Sequence, residues 1–387
     1  MTIIFKDIRI IDSDTDRNTN ILLSKNTFKE IKDLDLKNNS ANITNGKGLA
    51  LLPSFLDLHC HLRDPGYTYK EDLKSGNHAA LAGGFTTICC MANTKPVCDN
   101  PDIIKYIIKK GKSLNMCDII PVSAVTKGLK SKQLVNFKSM TNYTRLFSND
   151  GEPIADKKVM IDALQSSSNY NFKLLTHCEP EVKMIERDLE LLRTYGGNLH
   201  ICHVSKKESI KLIRSAKKDN LNVTCEITPH HLFSYGLDYI VHPPFREKED
   251  TEELLKGVLD GTIDIIATDH APHCEYDKKR GARGLIGLEL AFSLVYTIFK
   301  KNNVNIKLLS KLMSETPSKM LNKKSTKFNQ KTNANFVLVD LAKKYIIGEK
   351  KFKSKSKNTP FIGHSVYGEV LMTIKNGEIK YDNRQTI

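Results

Sequence analysis

No apolar run in these 387 residues is long enough to span a bilayer, which excludes a protein built on membrane helices. The start, from Met1 to Asp7, lacks a basic segment followed by an apolar one, so no secretory leader is expected. Cysteine supplies no framework: nine are scattered along the chain without a CxxC spacing. An odd, unpatterned set excludes a disulfide scaffold and implies reduced thiols, hence a cytoplasmic protein. Acidic residues are short against basic ones, 44 against 59, which leaves a formal charge of +15. The densest basic run, Lys350-Lys351-Phe352-Lys353-Ser354-Lys355-Ser356-Lys357, has Phe352 as its single aromatic. The excess is therefore read as lysines spread over exposed helix faces, and neither a nucleic-acid nor a membrane partner is expected. A basic surface can still draw in an anionic small-molecule substrate.

Apolar residues make up 40% of the chain, enough for a large core, and the length suits a barrel of roughly 250 residues plus a satellite domain. Short β-like runs at 3–11, 20–23 and 28–31 precede the turn Asn45-Gly46-Lys47-Gly48. Near the other end, 335–340 reads as a strand, and 370–374 with 378–381 as a hairpin around Asn376-Gly377. These β-rich ends predict one small β domain made from residues 1–50 and 331–387 together. Between them, over 51–330, lie eight β-like runs, at 54–62, 85–93, 118–125, 144–150, 173–179, 198–204, 222–229 and 264–270. Segments with helical apolar spacing, such as 71–82, 157–166 and 209–218, separate them. Eight strand–helix units in order predict an α/β chain, a (β/α)₈ TIM barrel.

In such a barrel, chemistry collects at the C-terminal strand ends. The first run carries His59-Cys60-His61, the fourth ends in Asp150, the fifth holds His177, the sixth His203 and the eighth Asp269. Residues two apart on a strand share a face, so His59 and His61 can hold one ion together. The same parity turns Cys60, Cys178 and Cys202 away, leaving a site of histidine and carboxylate. A lone HxH carries little weight. Four histidines and two aspartates at one barrel face would leave lone pairs and charges unsatisfied without a metal. Imidazole and carboxylate suit zinc, and six ligands suit two ions. His59, His61 and Asp269 would hold one Zn²⁺, His177 and His203 the other, with Asp150 touching both. Two such ions lower the pKa of a bridging water and give hydroxide near neutral pH. Asp57, one step deeper on the same face, is expected to orient a ligand imidazole. His200 and His270 point away by parity and are read as structural, as are His230 and His231 after the seventh run.

At these residues the sequence resembles the dihydroorotases of the amidohydrolase superfamily, in the type whose metals are bridged by an aspartate. The resemblance covers nearly the whole chain. It is carried by Asp57-Leu58-His59-Cys60-His61-Leu62-Arg63-Asp64-Pro65-Gly66, Met91-Ala92-Asn93-Thr94 and Ser148-Asn149-Asp150-Gly151. Further on come Thr176-His177-Cys178-Glu179, His203-Val204-Ser205-Lys206, Ala267-Thr268-Asp269-His270-Ala271-Pro272-His273 and Lys355-Ser356-Lys357-Asn358-Thr359-Pro360-Phe361. The resemblance implies reversible hydrolysis of L-dihydroorotate to N-carbamoyl-L-aspartate, in pyrimidine synthesis, with zinc held by the six ligands above. It implies that Arg63 and Asn93 bind the substrate carboxylate, with His61 and His273 beside them and the Arg283-Gly284 backbone against the ring. Asp269 would be both ligand and base, taking a proton from the attacking hydroxide and passing it to the leaving nitrogen. A homodimer and an association with aspartate carbamoyltransferase are the partners such a chain would have.

Departures from the family pattern are few. His242 opens His242-Pro243-Pro244-Phe245-Arg246 where asparagine is usual; an imidazole can donate one hydrogen bond as the amide does, so His242 is kept as a substrate contact. Arg283 stands where proline or an aromatic is common. Many relatives bridge their metals with a carboxylated lysine, but no lysine occurs between Thr144 and Gly151, and Lys157 and Lys158 lie beyond the strand. Two alternatives are carried forward: a hydantoinase or allantoinase acting on another cyclic ureide, and an inactive structural partner of aspartate carbamoyltransferase. Arg63 and Asn93 count against the first, and the full ligand set against the second. The charged segment from Cys274 to Gly284 is expected to cover the substrate.

Overall fold

β-Branched and aromatic residues fill the strand-like runs at both ends of the chain and the short runs between them, and each becomes a strand. The computed structural model describes residues 2–32, 42–329 and 333–384, so the domain boundary expected at 330–331 lies outside them. Five strands come first: β1 (Thr2–Ile11), β2 (Asp16–Ser24), β3 (Thr27–Ile31), β4 (Asn42–Asn45) and β5 (Ala50–Pro53). Then follow β6 (Phe55–Cys60), β7 (Phe85–Cys90), β8 (Asp118–Pro121), β9 (Leu146–Ser148), β10 (Lys173–Thr176), β11 (Leu199–Ile201), β12 (Val223–Ile227) and β13 (Ile265–Ile266). The last are β14 (Phe336–Ile346), β15 (Ser365–Lys375) and β16 (Glu378–Asp382).

The outer strands form one sheet in the order β16-β15-β14-β5-β1-β2-β3, with β4 also on β1. Its two halves meet where β14 pairs antiparallel with β5, Phe336 opposite Pro53. Phe5, Ile8, Ile10, Leu51, Phe336, Leu338 and Met372 form its core. The β15–β16 hairpin turns on Asn376 and Gly377, both at positive φ (51° and 77°), as an Asn-Gly turn requires.

β6 to β13 run parallel in two arcs, β6-β7-β8 and β9 to β13. Bridges between Ser123 and Phe147 and between Cys60 and His270 close the arcs into a barrel. Leu58, Cys89, Met91, Val122, Leu146, Leu175, Cys202, Ile265 and Ala267 pack its interior. Helices Leu73–Ala82, Lys157–Asn169 and Lys207–Lys218 fall on the segments with helical spacing. The first is capped by Asp72, whose carboxylate accepts from the Lys74 and Ser75 amides. Several expected strands overrun the paired ones at their C-terminal ends. The regular strands end at Ile201 and Ile266, short of His203 (φ 33°) and Asp269 (φ 45°), whose left-handed backbone interrupts a regular ladder.

The basic run is a strap against Glu71 and Glu289, beyond the C-terminal ends of the barrel strands. Its Lys353 and Ser354 amides donate to Glu289, the Lys355 amide to Glu71, and Lys357 Nζ to the Phe352 and Ser354 carbonyls. Among the described residues no helix is long and apolar enough to cross a membrane. All nine cysteines are free thiols.

Candidate active site

The strand ends bring all six candidate ligands to one point. His59 Nε2 lies 3.4 Å from Asp150 Oδ1 and 3.5 Å from Asp269 Oδ1. His61 Nε2 is 3.1 Å from Asp269 Oδ1 and 3.3 Å from Asp150 Oδ2. On the other side of Asp150, His177 Nδ1 and His203 Nε2 sit 3.5 and 3.3 Å from its Oδ1, and 2.9 Å from each other. His59, His61 and Asp150 make one group able to hold an ion; Asp150, His177 and His203 make another. Asp150 is common to both. Asn149 fixes it in place, its side chain accepting from the Val125 and Thr126 amides.

The donor chemistry fits a metal. Glu226 Oε1 takes His59 Nδ1–H at 2.6 Å, and Asn93 Oδ1 takes His61 Nδ1–H at 2.8 Å while its amide donates to the Asp150 carbonyl. Each ring is thereby left with Nε2 facing carboxylates, and buried His59 Nε2 has no hydrogen-bond partner. Lone pairs aimed at anions repel unless a cation lies between them. Burial opposes charge on His59, but Asp150, Glu226 and Asp269 outweigh it and raise its pKa well above the ordinary value. Burial likewise opposes ionised Asp150 and Asp269, yet the neighbouring imidazoles hold both well below the usual carboxylate range.

Three expectations from parity need correction. Asp57 does not orient an imidazole: it accepts from the Thr268 amide (2.8 Å) and hydroxyl (2.6 Å), steadying the residue before Asp269, and burial pushes its pKa up to about 7. The carboxylate that orients His59 is Glu226 on β12. Cys202 does not turn away either. It packs inside the barrel, within 4.8 Å of the His59 and Glu226 ligand atoms, because the left-handed turn at His203 ends the alternation. Its thiol is buried and its pKa raised well above the ordinary value, so it is no thiolate. His200 is structural but not remote: Nε2 reaches Glu226 Oε2 at 3.1 Å, and with His59 it holds this buried acid at about 2 against the effect of burial. His270 bonds Glu71 and the Gly287 amide, away from the site. His231 binds Thr228 and the Pro243 carbonyl. His230 is buried with neither ring nitrogen partnered.

A cavity of about 240 Å³ opens above this cluster. Its wall contains His61, Arg63, Asn93, Asp150, His177, His203, His242, Asp269, His273, Arg283 and Gly284, with Gly151 and Ala271 in addition. His59 lies beneath it, fully buried. Arg63, left-handed at φ 58°, donates from Nε to the Pro272 carbonyl and sets Nη2 3.2 Å from His273 Nε2. His242 stacks on His177 at 4.9 Å and places Nε2 3.2 Å from Glu179. Burial, then His177 and Arg283, depress its pKa to about 4, so the ring is neutral near pH 7. The Arg283 carbonyl accepts from His273 Nε2, and the Gly284 amide donates to Ile240. Gly284 has φ +134°, and a Cβ there would lie 2.6 Å from that of Ala271. In the segment expected to cover substrate, Lys278 Nζ ties down the Ile240, Ala282 and Gly284 carbonyls. A larger cavity, about 650 Å³, lies at the opposite end of the barrel beside Ser54, Thr86 and Lys323, and none of the six ligands lines it.

Residues 48–200 match a family model described as dihydro-orotase-like. The chain is 40% identical to a dihydroorotase of Clostridium botulinum (strain Eklund 17B / Type B), over 98% of this chain and 100% of that one. This chain belongs to the dihydroorotase family. A dihydroorotase of Aquifex aeolicus (strain VF5) is 36% identical over 93% of this chain and 94% of its own. Among solved structures, an L-hydantoinase (dihydropyrimidinase) from Arthrobacter aurescens superposes with a TM-score of 0.86 at 21% identity, over 97% of this chain and 95% of that one. At that identity the likeness carries the fold alone. The (β/α)₈ barrel is thus common to dihydroorotase-family chains like this one and to hydantoinases.

Proposed function

We propose that this chain is a zinc-dependent dihydroorotase that interconverts L-dihydroorotate and N-carbamoyl-L-aspartate in pyrimidine synthesis. The observation that carries the reading is one aspartate, Asp150, shared by two metal-capable groups under a cavity walled by Arg63 and His273. Two zinc ions suit the donor set: His59, His61 and Asp269 for one, His177 and His203 for the other, Asp150 for both. Bound there, zinc supplies Lewis-acid polarisation of the ring carbonyl and acidifies water toward neutral pH. Asp269 is the base. Its carboxylate, held ionised by the surrounding imidazoles, takes a proton from the attacking water and returns it to the ring nitrogen as the C–N bond breaks. Water is thereby divided, its OH to the carbonyl carbon and a proton to the ureido nitrogen, and the carboxylic acid so formed ionises to a second carboxylate. Arg63 binds the existing carboxylate with His273 and with Asn93, whose amide is held only at 3.4 Å by the Asp150 carbonyl. His242 and the Arg283-Gly284 backbone frame the ring.

Nine free thiols suit a reducing compartment, so the cytoplasm belongs to this reading. So do a homodimer and an association with aspartate carbamoyltransferase, each tested by the mass of the particle in solution. The test of activity is dihydroorotate turnover by the zinc-loaded protein beside Asp269→Ala. The parent should be active and the variant slower by about 10³-fold. Turnover of hydantoin or allantoin in place of dihydroorotate would overturn the substrate assignment.

A further inference from the structure

Lys70 does not line the cavity, yet it determines how one of the wall residues presents its proton. Its backbone is anchored on both sides, the amide donating to the Tyr67 carbonyl and the carbonyl accepting from Ser356 Oγ. From this fixed stem, the largely buried ammonium reaches 3.3 Å from Asp277 and 3.3 Å from His273 Nδ1. An ammonium group has donors and no acceptor, so the nitrogen it faces must carry the lone pair. The proton of His273 then resides on Nε2, where it is donated to the Arg283 carbonyl at 2.9 Å. The opposite tautomer would satisfy Arg63 alone. It would set an N–H against the Lys70 ammonium and a lone pair against the Arg283 carbonyl. Two contacts against one decide for Nε2–H. Arg63 Nη2 and His273 Nε2–H are then two donors 3.2 Å apart at the cavity wall, so a carboxylate that bridges them takes an N–H from Arg63 and shares the His273 proton with the Arg283 carbonyl.

We propose that Lys70 is a positioning residue for substrate recognition: it fixes the His273 tautomer so that Nε2–H, beside Arg63, is offered to a ring-borne carboxylate. The choice of substrate rests on the dihydroorotase reading; the tautomer lock does not. Zinc-loaded protein carrying ¹⁵N-histidine tests both. Long-range ¹H–¹⁵N spectra, with His273 assigned by comparison with His273→Gln, should show Nε2–H in the parent. In Lys70→Met the Nδ1–H form should appear and KM for dihydroorotate should rise about tenfold or more, with kcat within about twofold. Lys70→Arg keeps a group with donors and no acceptor, so it should retain the Nε2–H form and most of the parental KM. This variant also keeps the test open where Lys70→Met fails to fold. An unchanged tautomer in Lys70→Met overturns the proposal, even with a raised KM, since Lys70 would then act by charge alone. An equal rise of KM in the Arg and Met variants overturns it too. A parent that ignores dihydroorotate removes the substrate reading, while the spectra still decide the lock.

Discussion

Glu226 Oε1 lies 2.6 Å from His59 Nδ1, and this contact leaves the ring's other nitrogen facing Asp150 and Asp269. Both residues are fully buried, so no solvent competes for the bond. Glu226→Gln keeps the shape and loses the charge. Zinc affinity should fall about 10–100-fold, read by competition with a chelating indicator. Unchanged affinity would mean that packing alone orients His59.

Because Asp150 belongs to both ligand groups, its loss should not be local. Asp150→Ala should lose both zinc ions after dialysis, as counted by elemental analysis, and its activity with them. Retention of one ion at parental affinity would show that the two groups bind independently.

His242 is held neutral above a pKa of about 4, chiefly by burial. Its charge therefore stays constant through the working range, and the parent and His242→Asn should give parallel pH profiles of kcat/KM between about pH 6 and 8. A limb present only in the parent would assign a titration to His242. His242→Ala, which lacks any donor, should raise KM.

Asp72 offers a stability test outside the site. Burial raises its pKa, but the Lys355 ammonium and the Ser75 hydrogen bonds outweigh this and bring it down to about 2. A carboxylate depressed on folding stabilises the protein above its unfolded pKa of about 4, and that contribution drains away as pH falls toward about 2. Asp72→Ala should cost about 1 kcal/mol at neutral pH, seen as a lower Tm. The gap to the parent should narrow from about pH 4 downward; a gap constant with pH would exclude the charge as its source.

The barrel and the clustering of the six candidate ligands were legible because strand-end histidines and aspartates stand out against β-branched runs, and alternation places His59 and His61 together. Alternation failed where the backbone leaves the strand. Cys202 was misdirected because His203 is left-handed, which only φ reveals. Asp57 was credited with the task of Glu226, since both are buried carboxylates on barrel strands and their partners come from distant strands. A signal for Glu226 was present: an acid inside the buried run of β12 requires a cationic partner. The tautomer of His273 was out of reach, depending as it does on Lys70, more than two hundred positions earlier in the chain.

Asn358 donates to the Ala271 and Gly284 carbonyls and accepts the His273 amide, so a wall of the cavity is held by the strap near the end of the chain. During synthesis all six candidate ligands leave the ribosome before Asn358 does, and β5 must wait for β14, which also precedes Asn358. A nascent chain can therefore collect its ligands while still lacking a finished recognition pocket. Competence to turn over substrate is in this way deferred until Asn358 has emerged, and a chain that stalls before it would hold the ligand cluster without the finished wall.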